Sequence, residues 1–268
     1  LLQVESMTPD VVWLEASSLI EDKGDYRILP WGLTIFEQNG AAQVGVDSVF
    51  GYNTLELAAL TDMTGAASDP RSQIYDVLSV GYVIANVSLN EYLEGDDPFV
   101  LAYRGEATRI YRRPQTLPLA RLVSSYEVIP EKGAALQRLQ SEAFDPATAV
   151  ILEREPACRD QLSGGELNGT VEIVEKEGGR WLMHVSSAQP AMLVLSEVAF
   201  PGWTVRINAE PVEWQTAYTG LRTVCVPSGD HSVEWVFRPR SFWLGGGISL
   251  FGLLLVGLMI FWGSKSRA

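Results

Sequence analysis

The sequence predicts an α+β domain, then an antiparallel β-sandwich, then one C-terminal transmembrane helix. Three observations lead there: an uncharged apolar run near the end, short alternating segments split by turn signals in the second half, and mixed helical and strand patterns in the first. The divisions read 1–156 for the mixed α/β domain, 157–240 for the sandwich, 241–263 for the span and 264–268 for a tail.

The apolar run from Ser241 to Trp262 carries no charge, and at ~1.5 Å per residue it reaches across a ~30 Å hydrocarbon core. Phe242–Trp243 and Phe261–Trp262 stand at its ends, where amphipathic rings favour the headgroup level. Arg238 and Arg240 flank one side, Lys265 and Arg267 the other, so the positive charges do not set the orientation. A buried core helix would carry a polar face, and a signal peptide would sit at the opposite end of a chain. Gly245 and Ser249 are spaced four apart, followed by Gly252 and Gly257. Small residues on a membrane helix admit a second helix closely, as in a bundle.

In the first domain, Val11–Leu14 is a short apolar run, and Tyr26–Pro30 reads as a strand stopped by proline. Gly40–Tyr52 is rich in small and turn-forming residues, which suits a loop. Asn53 or Thr54 is expected to cap a short helix through Leu60. Asp69–Pro70 signals a second helix start, with Gly81 ending that helix and Tyr82–Ala85 following as a buried strand. After a turn at Asp96-Asp97-Pro98, Phe99–Tyr103 and Ala107–Tyr111 form a hairpin around Arg104-Gly105. A strand over Ala120–Ile129, a helix over Glu131–Glu142 and a strand over Ala149–Leu152 make a β-α-β unit.

The second half reads as a run of hairpins. Val171 and Ile173 alternate with glutamates, Gly178-Gly179 turns the chain, and Trp181, Met183 and Val185 face inward. Ala191–Ala199 is a central strand. Thr204–Ile207 and Val212–Thr216 pair around Asn208-Ala209-Glu210, and Leu221–Val226 and Ser232–Phe237 pair around Pro227-Ser228-Gly229. Val233, Trp235 and Phe237 face the core. Only Arg238-Pro239-Arg240 separates the last strand from the span, which keeps the sandwich close to a bilayer.

Composition excludes some functions. The chain has 268 residues, 33 acidic against 20 basic, for a formal charge of -13. No Lys/Arg cluster occurs, so no nucleic-acid partner is expected. An acidic body is repelled by anionic lipid and stands off the membrane. Cys158 and Cys225 are the two cysteines. They can pair if the body lies outside the cytoplasm, but two independent buried thiols are the preferred reading.

Catalytic signatures are missing: there is no G-x-S-x-G, P-loop, H-E-x-x-H or C-x-x-C motif. His184 and His231 read as structural or surface residues, and Glu21-Asp22 and Asp96-Asp97 as solvated turns. No catalytic residue, metal site or cofactor is assigned. Asn86-Val87-Ser88 and Asn168-Gly169-Thr170 match the glycosylation sequon, which has meaning only in a eukaryotic secretory setting. The candidate binding residues are aromatics and a cation of the sandwich: Trp203 after the Pro201-Gly202 turn, and Tyr218 and Arg222 flanking Thr219-Gly220 at an expected loop tip. Exposed rings of this kind stack on sugar faces. Trp214 belongs to the same aromatic set, while Trp235 is read as core.

Between Leu193 and Leu250 four pieces follow in order: S-E…P-G-W (Ser196, Glu197, Pro201–Trp203), the N-A-E-P-V turn, V-P-x-G-x-H-x-V-E (Val226–Glu234) and P-x-S-F-x-x-G ahead of the span. In this order they resemble the C-terminal region of the YfhO-type bacterial membrane proteins. Weaker echoes are Tyr26–Leu29, Gly51-Tyr52 and Leu78–Ile84. Ala209 departs from the pattern, where glycine is usual, so a different turn type is expected there. The resemblance implies a polytopic protein of the glycosyltransferase type C fold that uses polyprenyl-phosphate-linked sugar. Its catalytic acidic residue is expected in an early extracytoplasmic loop outside this sequence.

On that resemblance the chain is the extracytoplasmic C-terminal module and last span of a longer protein of the bacterial cell envelope. The tail is then cytoplasmic, and the expected partners are the bilayer, the upstream helices and an acceptor glycan. The alternative is a membrane-tethered carbohydrate- or protein-binding scaffold without catalysis. A self-contained hydrolase is disfavoured, because no convergent nucleophile and base are visible.

Overall fold

The computed structural model describes residues 13, 25–32, 39–50, 57–86, 93, 99–105, 108–162 and 164–265. The Asn53/Thr54 cap, the Asp96-Asp97-Pro98 turn, the Glu21-Asp22 pair and most of the Val11–Leu14 run lie outside these residues. In chain order the first half contains β1 (Arg27–Trp31), α1 (Gly40–Gln43), α2 (Ala58–Ala66), α3 (Gln73–Val77), β2 (Val80–Asn86), β3 (Val100–Arg104) and β4 (Thr108–Arg112). Next come β5 (Ala120–Val123), β6 (Ser125–Val128), α4 (Lys132–Leu139) and β7 (Ala149–Leu152). The second half contains β8 (Gly169–Glu177), β9 (Arg180–Ser187), β10 (Ala191–Val198), β11 (Trp203–Ile207) and β12 (Glu210–Val212). It closes with β13 (Trp214–Ala217), β14 (Leu221–Val226), β15 (Gly229–Phe237) and α5 (Arg240–Lys265).

Among the described residues three sheets form: β1-β2-β4-β3, β5-β10-β14-β13-β7-β6 and β12-β11-β15-β9-β8. In the first, β1 runs parallel to β2, and β3 and β4 form the expected hairpin. Pro30 does not stop its strand. It lies inside β1 opposite Ile84, which an edge strand tolerates because one side of the ladder needs no N–H donor.

The Asp69-Pro70 signal makes a turn rather than a helix start, as Asp69 Oδ1 accepts from the Arg71 N–H at 2.7 Å. The helix begins three residues later under a Ser72 cap, whose Oγ accepts from Ile74 N. Ser79, at φ 58°, turns the chain out of it. Gly81 therefore sits inside β2, where a Cβ would fall 2.8 Å from Tyr26 Cβ.

The six-stranded sheet corrects the reading of Ala120–Ile129 as one strand. Its two pieces, β5 and β6, occupy opposite edges of the sheet. One residue, Ser124, joins them, which limits their separation to about 7 Å, so the sheet must curl until its edges meet. The β6-α4-β7 unit is as expected, with β6 parallel to β7 and Leu136 and Leu139 of α4 buried. Strands from both sides of residue 156 share this sheet, so its core crosses the division expected there.

Two expected hairpins are also corrected. Val212–Thr216 splits into β12 and β13, which enter different sheets, and β14 and β15 likewise separate instead of pairing. The five- and six-stranded sheets enclose a shared cluster of Trp181, Met183, Leu193, Val205, Val224 and Trp235. Val233 and Trp235 are fully buried as expected. The far face of the six-stranded sheet contributes Val123, Ile151, Met192, Val194 and Leu221 to a second cluster with α3 and β2. α5 is long and apolar enough to cross a membrane, and its described side chains are exposed.

Cys158 and Cys225 form a disulfide, with Cα atoms 6.0 Å apart. This corrects the preference for separate thiols: β14 carries Cys225 to the place where the chain leaves β7, an approach between residues 67 apart in sequence. Replacing both cysteines by serine is expected to cost about 4 kcal/mol from loop closure alone, read as a lower denaturation midpoint in non-reducing buffer.

The turn between β11 and β12 keeps the geometry that favours glycine: Asn208 and Ala209 have φ of 52° and 70°. Ala209 therefore occupies a left-handed position instead of changing the turn type. Ala209→Gly is expected to stabilise the protein by about 1 kcal/mol, measured in the same denaturation experiment.

Candidate functional site

A cleft of about 440 Å³ opens where β1 and the loop after α1 meet the ends of β8, β10 and β11. Its polar wall begins with Arg27 on β1. Arg27 Nη1 donates to Leu78 O and to Ser196 Oγ, both at 2.9 Å, and Nη2 donates to Glu197 Oε1 at 2.5 Å. Ser196 Oγ in turn donates to Val77 O at 2.8 Å.

The local fold explains why Ser196 and Glu197 are available. The β10–β14 register shifts between Leu195 and Val198, so these two residues drop out of the ladder. Such a bulge re-aims side chains at a strand end, and here Ser196 and Glu197 both reach Arg27. The other wall belongs to the β8–β9 hairpin. Lys176 Nζ lies 2.5 Å from Asp47 Oδ2 and 5.3 Å from the centre of the Trp181 ring.

Trp203, half-buried, lines the cleft as well as a shallower hollow beside Trp214. The Trp214 indole N–H donates to Trp203 O at 3.0 Å. Trp203 does not present a free platform, because the Arg222 guanidinium stacks 3.7 Å from the ring centre.

The other two predicted residues are not exposed. Tyr218 is 1% exposed and Arg222 0%. The expected loop tip is the β13–β14 turn, and it is packed under α2: a Cβ on Gly220 would fall 2.7 Å from Met63 Sδ. Tyr218 uses its hydroxyl inside the fold, donating to Ala149 O at 2.6 Å, while Arg121 Nη2 lies 3.3 Å from the same oxygen. Burial pushes the Tyr218 hydroxyl pKa up.

Arg222 shares its strand face with Val224 and Val226, inside the core between the two sheets. Trp203 covers it on one side, and the Trp235 ring centre lies 5.1 Å away. Its Nη2 is 3.6 Å from Glu197 Oε2, and among the described residues none of its three guanidinium nitrogens has a hydrogen-bond partner. Burial lowers its pKa to about 10, with Glu197 pulling the other way.

Of the three residues singled out from the sequence, Trp203 lines this cleft and Tyr218 and Arg222 do not; Arg27, Ser196, Glu197 and Lys176, which also line it, were not singled out.

Among the described residues no group of three or more His, Cys, Asp or Glu side chains could hold a metal ion. Neither histidine lines the cleft. His184 is exposed on β9, and His231 is bonded to Asn208 and to Ser228 O at 2.9 and 3.1 Å. Comparison with protein-family models, with curated proteins and with solved structures gives no match.

The unfolded chain holds the Arg222 proton more tightly than the folded protein does, so this charge opposes folding at any pH below about 10. At ~1.4 kcal/mol per pKa unit the opposition is about 3 kcal/mol. Arg222→Met fills similar volume without the charge and leaves Glu197 paired to Arg27. It is expected to be neutral or to stabilise by up to about 3 kcal/mol, checked by thermal and chemical denaturation.

Proposed function

We propose that this chain is the extracytoplasmic C-terminal module and last membrane span of a bacterial glycosyltransferase-like membrane protein of the YfhO type. In this reading the five- and six-stranded sheets form a β-sandwich standing on the bilayer, and the cleft positions an acceptor glycan. The module is not catalytic by itself; chemistry belongs to upstream regions that use polyprenyl-phosphate-linked sugar.

The observation that carries the reading is where the cleft lies relative to α5. Gly178 lines the cleft, and its neighbour Gly179 accepts a hydrogen bond at 2.9 Å from the N–H of Phe237, three residues before α5 begins. A ligand held there would sit at the level where a membrane-bound sugar carrier presents its headgroup. The disulfide supports an oxidising compartment for the body, with the tail in the cytoplasm. The meeting of Arg27 with Ser196 and Glu197 gives the separate pieces of the resemblance a common purpose.

A second reading, a tethered scaffold with no transferase attached, is favoured by the pairing of the cleft's charges. Arg27 is engaged by Glu197, and Lys176 by Asp47. Glu177 lines the cleft outside these two pairs and is exposed, so such a site can hold a neutral or weakly basic polar ligand, while no acid and base are set against each other for catalysis.

The test is binding of cell-envelope glycans, measured by calorimetry on the detergent-solubilised protein and on Lys176→Ala, Trp203→Leu and Ser48→Ala variants, Ser48 lining the cleft from the loop after α1. Loss of affinity by about tenfold or more, about 1.4 kcal/mol, with the denaturation midpoint retained in the Ser48 and Lys176 variants, is the expected result; the Trp203 variant also loses its stacking on Arg222 and is read against its own midpoint. Unchanged binding in all three variants overturns the cleft assignment. The upstream reading frame separates the two readings: many further apolar spans support the transferase, whereas a signal peptide alone leaves the scaffold.

A further inference from the structure

The loop joining β10 to β11, Ala199–Gly202, is fixed against the start of α5. Gly202 O accepts from the Arg238 N–H at 2.6 Å. Gly202 adopts φ +113°, and a Cβ there would fall 2.9 Å from Phe237 Cε2 and 3.1 Å from Pro239 Cα. Glycine is thus what allows the loop to lie directly on the linker.

This anchored loop presents Phe200 at its tip. Phe200 is 44% exposed, although it sits 6.3 Å from the Phe237 ring. Phe237 in turn stacks on Trp203 at 5.3 Å. Beyond the linker, Phe242 and Trp243 occupy the first turn of α5 and are 71% and 72% exposed. Rings from two separate segments therefore gather around the base of the helix, as aromatic residues do at a membrane interface.

Charge favours the same contact. The protein carries -13 overall, yet residues 198–204 and 235–265 contain no Asp or Glu, and Arg238 and Arg240 are exposed between them. The repulsion that would hold an acidic body off anionic lipid is locally absent, and two cations replace it.

We propose that the Ala199–Gly202 loop is a second membrane contact, with Phe200 inserted at the headgroup–acyl boundary beside α5. The occupant of this surface is the phospholipid interface. Two contacts at one end of the protein remove the freedom to tilt about the linker, so the mouth of the cleft keeps a fixed height above the bilayer. The inference rests on α5 being a membrane span.

The experiment places a nitroxide label at Pro201→Cys in the full membrane protein, reconstituted in nanodiscs containing phosphatidylglycerol and phosphatidylcholine. Labels at Ser228→Cys, beyond the far end of β15, and at Leu253→Cys, within α5, serve as water and lipid references. The reading is the ratio of collision with oxygen to collision with a water-soluble nickel chelate. A ratio at 201 several-fold above that at 228 is expected, and adding Phe200→Asp should return it towards the value at 228.

A ratio at 201 equal to that at 228, or shielding from both reagents by another part of the protein, overturns the proposal. So does a ratio that Phe200→Asp leaves unchanged, since α5 alone would then hold the loop. If Leu253 itself reports water, α5 does not span, and the membrane reading falls together with this one. A lipid signal at Leu253 with a water signal at 201 removes the loop contact alone.

Discussion

Strand β10 presents Met192 and Val194 to one hydrophobic cluster and Leu193 and Leu195 to another, all of them fully buried. A strand buried on both faces leaves no side for polar alternation, which is why Ala191–Leu195 reads as a continuous apolar run. It also fixes the architecture around it. The six-stranded sheet must be covered by helices and the first sheet on one face, and by the five-stranded sheet on the other. No division of the chain near residue 156 can separate these layers, because β5, β6 and β7 complete the sheet to which β10, β13 and β14 belong.

The same two-sided burial gives the cleft its chemistry. β10 stays in register with β14 from Ala191 to Leu195, then bulges where the sheet reaches its end. There Glu197 takes a bidentate role between cations, with one oxygen against Arg27 and the other facing Arg222. Arg222 stacks on indole in place of forming hydrogen bonds, and a guanidinium is weakly hydrated enough to be held that way. A lysine at this position would lose both the planar stacking and the delocalised charge.

Much of this was legible in the sequence. Period-two alternation correctly predicts the inward face of β9 and the burial of Val233 and Trp235 on β15, though Phe237 at the end of that strand is half-buried and outside the core. The α4 stripe correctly predicts Leu136 and Leu139. The membrane-length helix follows from length and apolarity alone. What the sequence hides is pairing between distant strands. Thr219-Gly220 has the local chemistry of an exposed tip, and only the packing of α2 over it makes Tyr218 a core residue. Asn208 likewise reads as a turn residue, but its amide also fastens the far end of β15: Oδ1 accepts from the Ser232 N–H, and Nδ2 meets His231. His231 is thus accounted for as part of a turn lock. The S-E pair gave no hint of its partner because Arg27 lies about 170 positions away, a contact set by tertiary register and by no local propensity.

The position of the disulfide bears on how force and orientation pass through the molecule. Cys225 lies on β14, the strand that carries Arg222, and Cys158 lies in the chain leaving β7. The bridge therefore ties the middle of the six-stranded sheet to a segment that no ladder holds there. Towards α5, β15 runs unbroken from Gly229 to Phe237 and passes through Arg238-Pro239 into that helix. Phe237 touches Trp203 and Phe200, and Trp203 touches Arg222. A change in the angle between α5 and the body would move Phe237 against Trp203, whose ring both lines the cleft and covers a buried cation. Packed side chains pass displacement on to their neighbours, so this half-buried contact is the route by which a change in the attitude of the body on its helix would reach the cleft wall.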